Sequence, residues 1–220
     1  MKIGIIGSGP VGRALAKAFT SEGDAVMLGT RNTSKQELVK FKSDNPKIEI
    51  GTFAETAAFG ELLVLAVAGS VAQEAVDLSG KNNFSNKIVI DTTNPIAPGP
   101  PVNGVLKFFT TADESLMEKI QSVIPEAKLV KAFSIVGNSL MYKPNFKEGR
   151  PTMFICGNDD VAKKTVTDIL TTFGWETDDM GKIEAARAIE PLCILWCIPG
   201  FLRNDWTHAF KVLRMQQQGS

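Results

Sequence analysis

The chain opens on a short apolar run, Ile3-Gly4-Ile5-Ile6. It breaks into Gly7-Ser8-Gly9-Pro10-Val11-Gly12 and resumes as Arg13-Ala14-Leu15-Ala16-Lys17-Ala18-Phe19. No other stretch constrains the fold as tightly. Val11, Leu15, Ala18 and Phe19 recur at helical spacing, so strand, glycine turn and helix follow one another without slack. Gly23 stops the helix. A second apolar run, Ala25-Val26-Met27-Leu28, then ends in a basic-polar loop, Gly29-Thr30-Arg31-Asn32.

The same alternation continues. Ser34 with Glu37 has the spacing of a capping box for a helix bearing Leu38, Val39 and Phe41. Strands are expected at Ile48–Ile50, Leu62–Val67 and Lys87–Asp91, and a short helix from Phe53 to Phe59. Leu62–Val67 is apolar throughout, as in a parallel sheet covered on both faces. Ser70 is placed to cap the next helix. Beyond a proline-rich loop, Thr92 to Gly104, come a helix from Ser115 to Val123 and a strand at Lys128–Ala132. A strand at Thr152–Cys156, a helix ending at Gly174 and a strand at Trp175–Asp178 follow. The pattern predicts a Rossmann doubly wound α/β fold with a mostly parallel sheet of about eight strands. Residues 1–180 form the nucleotide-binding domain. Residues 181–220 form a helical extension, expected as two or three short helices between Ile183 and Leu213, with Pro191 and Pro199 as breaks. At its end lies a polar stretch, Gln216 to Ser220.

Composition narrows the function. Basic and acidic residues balance at 24 each, so no global field favours nucleic acid or an anionic membrane. No apolar run approaches the ~20 residues of a membrane span, and no signal peptide is expected. The three cysteines, Cys156, Cys193 and Cys197, fit a reducing, cytoplasmic setting and read as buried apolar side chains.

A G-x-G-x-x-G string gains meaning from standing directly after a strand and opening a helix. Gly7 allows the tight turn, Gly9 lets the backbone approach a pyrophosphate, and Gly12 lets helix and strand pack closely. Ser8, Pro10 and Val11 complete the turn, whose helix supplies N–H groups and a positive dipole end. At the end of the second strand an NAD site usually carries an acidic residue. Here Thr30, Arg31, Asn32 and Lys35 stand instead, two cations with short polar side chains, which suits a 2′-phosphate. The reading is NADP(H). Ala66, Val67 and Ala68, the Asn94-Pro95 turn and Ser134 are placed at neighbouring strand ends, where the nicotinamide would lie.

With these residues in view, the chain resembles the NADP oxidoreductases dependent on the deazaflavin coenzyme F420. That family shares its nucleotide domain with the six-transmembrane metalloreductases of animals. The likeness rests on K-I-G-I-I-G-S-G-P-V-G, on L-G-T-R-N with Lys35, and on V-L-A-V-A. It continues in D-T-T-N-P-I, V-K-A-F, P-T-M-F-I-C-G-N-D-D and R-x-I-E-P-L. The resemblance implies hydride transfer between nicotinamide C4 and deazaflavin C5, with stacked rings that the protein need only align. No catalytic acid–base pair and no metal ligands are expected. Relatives are often homodimers, and the apolar C-terminal helices would supply such an interface. Two positions depart from the family pattern: Ser134-Ile135 stands where many relatives have Asn-Thr, and Val67-Ala68 where the archaeal enzymes have Ile-Pro. The small-molecule redox partner therefore stays open between the deazaflavin, another flavin, a quinone and a small carbonyl compound. A redox-sensing NADP(H) module without turnover is the alternative of a different class. His208 reads as packing or surface, Asp159-Asp160 as a helix cap, and Lys131 and Lys143 show no sign of a lowered pKa.

Overall fold

The computed structural model describes residues 1–215; Gln216 to Ser220 lie outside the described residues. Six strands form one parallel sheet: β1 (Lys2–Ile6), β2 (Ala25–Thr30), β3 (Ile48–Thr52), β4 (Leu62–Leu65), β5 (Ile88–Asp91) and β6 (Lys128–Lys131). Their order is β3-β2-β1-β4-β5-β6. The order reverses between β1 and β4, and ligands of such sheets bind in the crevice at that switch point. The apolar runs explain the sheet's centre. Ile3, Ile5, Ile6 and all of Leu62–Leu65 are buried, which only helices on the faces allow.

The connecting helices are α1 (Pro10–Ser21), α2 (Gln36–Asp44), α3 (Phe53–Phe59), α4 (Ala72–Ser79) and α5 (Leu116–Val123), with α6 (Asp160–Thr172) following later. Two capping boxes form, Thr52 with Glu55 at α3 and Ser115 with Glu118 at α5. The one expected at Ser34 and Glu37 does not. The α2 helix starts one residue later, behind Lys35 and without a side-chain cap, which puts Glu37 out of register for the box; its carboxylate lies 3.0 Å from Arg13 instead. Ser70 does not cap α4 either. It sits inside a short 3-10 turn, Gly69–Val71, that precedes the helix.

The expected sheet of about eight strands is corrected to six. The last two strands, β7 (Thr152–Ile155) and β8 (Glu176–Asp179), pair in parallel with each other as a separate sheet. A single antiparallel bridge, Lys131 to Cys156, connects them to β6. The chain returns from β6 to β7 without a crossover helix, through a loop and one short 3-10 turn, Asn138–Leu140. It therefore arrives in the opposite direction and cannot extend the parallel ladder.

The C-terminal stretch forms short elements as expected, but its extent and its break at Pro199 are corrected. A 3-10 turn (Ile183–Ala185), α7 (Ala186–Ile189) and α8 (Pro191–Arg203) follow end to end, with Pro199 inside α8. The helix stops at Arg203, where Asn204 takes a left-handed cap with φ 54°, rather than running to Leu213. From there the chain lies against β7: the Thr152 N–H donates to the Phe210 carbonyl at 2.8 Å. By length and composition, Ile183–Arg203, 21 residues with an 18-residue stretch of mean hydropathy 1.4, could cross a membrane, so the expectation that no apolar run approaches span length does not hold. In this fold Ile189, Cys193, Trp196 and Cys197 of that run join the common core.

A charged cluster pins the C-terminal helices to the sheet. Lys131 is completely buried, with its ammonium 2.7 Å from Asp91 and 2.8 Å from Glu190. Glu190 also accepts the Leu116 and Met117 N–H groups of α5, at 2.9 and 3.0 Å. Replacing Lys131 by Met leaves two buried carboxylates unpaired, and such losses run to about 3–5 kcal/mol. We expect Lys131→Met to lower the urea unfolding midpoint accordingly; a loss below about 1 kcal/mol would show that other groups neutralise the carboxylates.

Candidate functional site

At the carboxyl end of β1 the backbone turns through Gly7 at φ 123°, a conformation that favours glycine. A Cβ there would strike the Ala66 carbonyl, and one at Gly12 would strike the carbonyl of Gly7. Both glycines are demanded by packing. Gly9 is different. Its φ of −74° suits any residue, it is exposed, and a Cβ on it would meet no atom within 4 Å. No side chain caps the α1 N-terminus and no acidic residue lies in its first turn. Pro10 at the helix start lacks an N–H, so the next amides, of Val11 and Gly12, are the donors offered there. Arg13 holds the turn in place: its Nε donates to the Ser8 carbonyl at 2.8 Å, and its guanidinium lies over Phe41.

The crevice beside this turn encloses about 230 Å³. Gly7, Ser8, Gly9, Thr30, Arg31, Lys35, Ala66, Val67 and Ala68 line it, so residues chosen from three separate strand ends come together. Pro10, Val11 and Gly12 lie behind, in the first turn of α1. Asn32 is a brace rather than a wall. Its N–H donates to Thr30 Oγ1 at 3.3 Å and its Oδ1 accepts from the Ser34 N–H at 2.9 Å.

Four further lining residues escaped the sequence reading: Phe53, Val71, Glu74 and Ala75. A signal existed for each. The Thr52–Glu55 box fixes Phe53 at the start of α3, and a helix that follows a switch-point strand turns its first residues toward the crevice. Glu74 brings a carboxylate to the site, 3.6 Å from Arg31. Both side chains are more than half exposed, so the pair is weak and screened.

Asn94, Pro95 and Ser134 do not line this crevice; they form an adjoining cluster beyond β5 and β6. Asn94 Nδ2 donates to the Ser134 carbonyl at 2.7 Å. Gly69, just past the Ala66–Ala68 wall, packs so closely on Asn94 that a Cβ would strike its carbonyl. Gly69 thus packs the Asn94 loop against the turn that follows the Ala66–Ala68 wall.

Other candidates resolve as packing. The His208 ring stacks on Trp196 at 5.2 Å, and the Trp196 indole N–H donates to the His208 carbonyl at 2.8 Å. Burial pushes the Cys156 thiol up to about 12. Cys193, which shares a hydrogen bond with Cys197 and is buried, is raised as well. Burial alone would lower Lys131, but Asp91 and Glu190 outweigh it and hold the amine protonated. Lys143, bonded to Glu22, is also raised. Neither lysine is poised as a nucleophile.

Residues 2–95 match the family model described as NADP oxidoreductase, coenzyme F420-dependent. A solved structure of a provisionally named F420-dependent NADP reductase from Arthrobacter sp. FB24 superposes with a TM-score of 0.91 at 32% identity, over 97% of this chain and 100% of that one. The F420-dependent NADP reductase of Methanocaldococcus jannaschii is 26% identical over 205 residues, 87% of this chain and 89% of its own length. The metalloreductase STEAP3 of Rattus norvegicus is 29% identical over 206 residues, but the chain spans only 39% of that protein. With its crevice, its basic second-strand loop and this end-to-end likeness, the chain belongs to the family of coenzyme F420-dependent NADP oxidoreductases.

Proposed function

We propose that the crevice holds NADP(H) and that the protein aligns its nicotinamide with a flavin-like acceptor, coenzyme F420 first among the candidates. The observation that carries this reading is the open space beside Gly9, bounded on one side by uncapped helix amides and on the other by Arg31 and Lys35. A glycine that neither backbone conformation nor packing requires leaves room for something outside the chain. A pyrophosphate over Gly9 would take the α1 amides, and a 2′-phosphate would lie between the guanidinium and the ammonium. Bound there, NADP(H) supplies a hydride at C4. The chain's own part is binding, orientation and exclusion of water, since hydride exchange between stacked rings asks chiefly for alignment. F420 leads because the Arthrobacter and Methanocaldococcus relatives carry it in their names.

The two kinds of glycine separate fold from function. Gly9→Ala, at a φ that alanine adopts freely, is expected to leave stability unchanged or raise it by up to about 1 kcal/mol, while weakening NADPH binding roughly tenfold or more. Gly12→Ala is expected to cost about 1–3 kcal/mol through overpacking. Thermal unfolding and calorimetric titration on both variants check the contrast. A Gly9→Ala protein that binds NADPH like the wild type would remove the pyrophosphate from this place.

Charge at the second strand decides the cofactor. Arg31→Ala should weaken NADPH by about tenfold, the scale of one charged hydrogen bond, and leave NADH nearly unchanged. Glu74→Gln should tighten NADPH a few-fold by removing a carboxylate that competes for Arg31. Equal effects on both nucleotides would show that no 2′-phosphate lies there.

Turnover separates an enzyme from a sensor. Purified protein mixed with NADPH and, in turn, F420, FMN, FAD and a quinone should bleach the nicotinamide absorbance with one acceptor. Tight NADPH binding with no turnover on any of them would favour the sensing module.

A further inference from the structure

Arg13 directly follows the last glycine of the turn and lies near the start of α1. Its guanidinium serves two elements at once. Nε donates to the carbonyl of Ser8, a residue of the crevice wall, at 2.8 Å. A terminal nitrogen lies 3.0 Å from the Glu37 carboxylate. The guanidinium carbon stands 5.6 Å from the centroid of the Phe41 ring, which is buried in the core. Three contacts therefore hold one planar fork. An ion pair to an exposed carboxylate such as Glu37 is ordinarily worth little, because two long side chains must be ordered to form it. Here Ser8 and Phe41 already order the arginine.

The two elements that Arg13 joins carry the two halves of the proposed phosphate site. Ser8 belongs to the glycine turn that would meet the pyrophosphate. Glu37 lies in the first turn of α2, two residues beyond Lys35, which precedes that helix and lines the crevice. Charge at this mouth is closely balanced. Arg31 and Lys35 are opposed by Glu74, 3.6 Å from Arg31, and by Glu37 in the adjoining helix turn. Two cations and two carboxylates would give a 2′-phosphate no net attraction. Arg13 offsets Glu37 and leaves the mouth positive.

Resting on the NADP(H) reading, we infer that Arg13 is a positioning residue that couples the pyrophosphate turn to the 2′-phosphate loop. One nitrogen holds the Ser8 carbonyl, and with it the course of the turn beneath the pyrophosphate. Another holds and neutralises Glu37, and so sets the preference for the phosphorylated dinucleotide. Arg13 acts on both phosphates through these two residues. Lysine could supply the charge but not the two directed donors, because its ammonium is a point charge on a flexible stem.

The test is calorimetric titration of the full chain with NADP⁺ and NAD⁺ at low ionic strength. The proteins are the wild type, Arg13→Gln, Arg13→Lys, and Arg13→Gln combined with Glu37→Gln. Arg13→Gln should weaken NAD⁺ by about three- to tenfold, the scale of one hydrogen bond lost from the turn. It should weaken NADP⁺ by a further three- to fivefold or so, the scale of one exposed charge pair. Adding Glu37→Gln should restore the preference for NADP⁺ and leave NAD⁺ as weak as in Arg13→Gln. Arg13→Lys should keep the preference while weakening both nucleotides. A loosened fold alone would weaken both nucleotides alike and could not be repaired at Glu37. An unchanged preference in Arg13→Gln overturns the coupling, and so does unchanged NAD⁺ affinity in that variant. A preference that Glu37→Gln fails to restore overturns it as well, as does an Arg13→Lys protein that binds both nucleotides like the wild type. A wild type with no preference for NADP⁺ overturns the NADP(H) reading itself, and the coupling with it.

Discussion

One buried ammonium group organises the half of the molecule farthest from the glycine turn. Lys131 has three protons to place, and Asp91, Glu190 and the Thr93 carbonyl take them, all within 2.9 Å. A cation between two carboxylates leaves one negative charge in excess. The first amides of α5 bond the Glu190 carboxylate and offset it, as helix N-termini do for anions. Both carboxylates thus meet the ammonium within 2.8 Å, and the cluster ties its surroundings together. The elements it joins are β5, β6, α5 and the start of the C-terminal helices. The Thr93-Asn94 loop hangs from it. Arg187, two-pronged on Glu118, repeats the link between α5 and α7 near the surface.

The glycines of the first turn show how folding and ligand demands divide within six residues. Gly7 is forced by backbone conformation and Gly12 by the carbonyl of Gly7. A chain lacking either would have to move strand from helix. Gly9 answers to neither demand. The motif spacing alone cannot make this distinction, because the same letters carry steric necessity at two positions and open room at the third.

What was legible in the sequence was local. The unit from Ile3 to Arg31 is a run of adjacent elements, each fixed by its own spacing, and its crevice residues assemble as the strand order requires. What failed depended on partners distant in sequence. The Ser34–Glu37 spacing fits a capping box, but α2 starts behind Lys35, one residue out of register, and Glu37 meets Arg13. β7 has strand composition and β8, Glu-Thr-Asp-Asp, does not, yet both pair; membership in the main sheet depends on how the chain returns from β6, and no residue in the strands encodes that. Pro191 and Pro199 looked like breaks. Pro191 does mark a boundary, opening α8 behind α7 where its missing N–H is harmless, but Pro199 is carried within α8. Glu190 stands in the sequence only as part of R-x-I-E-P-L, and its significance appears when Lys131 arrives from another strand.

The two ends of the proposed site work in different media. Arg31, Lys35 and Glu74 stand at an exposed mouth, where charges are screened by salt and each pair is individually weak. Such a mouth selects by charge count and leaves geometry loose. Asn94 and Ser134 lie where solvent does not reach their free atoms, and there an unmatched polar group is costly and a matched one is directional. Discrimination between phosphorylated and plain dinucleotides belongs to the first setting, and the strand ends expected to border the nicotinamide belong to the second. Hydride transfer tolerates looseness at the 2′-phosphate but not at C4. The buried Lys131 cluster, which bonds the Thr93 carbonyl, accordingly underlies the second end and not the first.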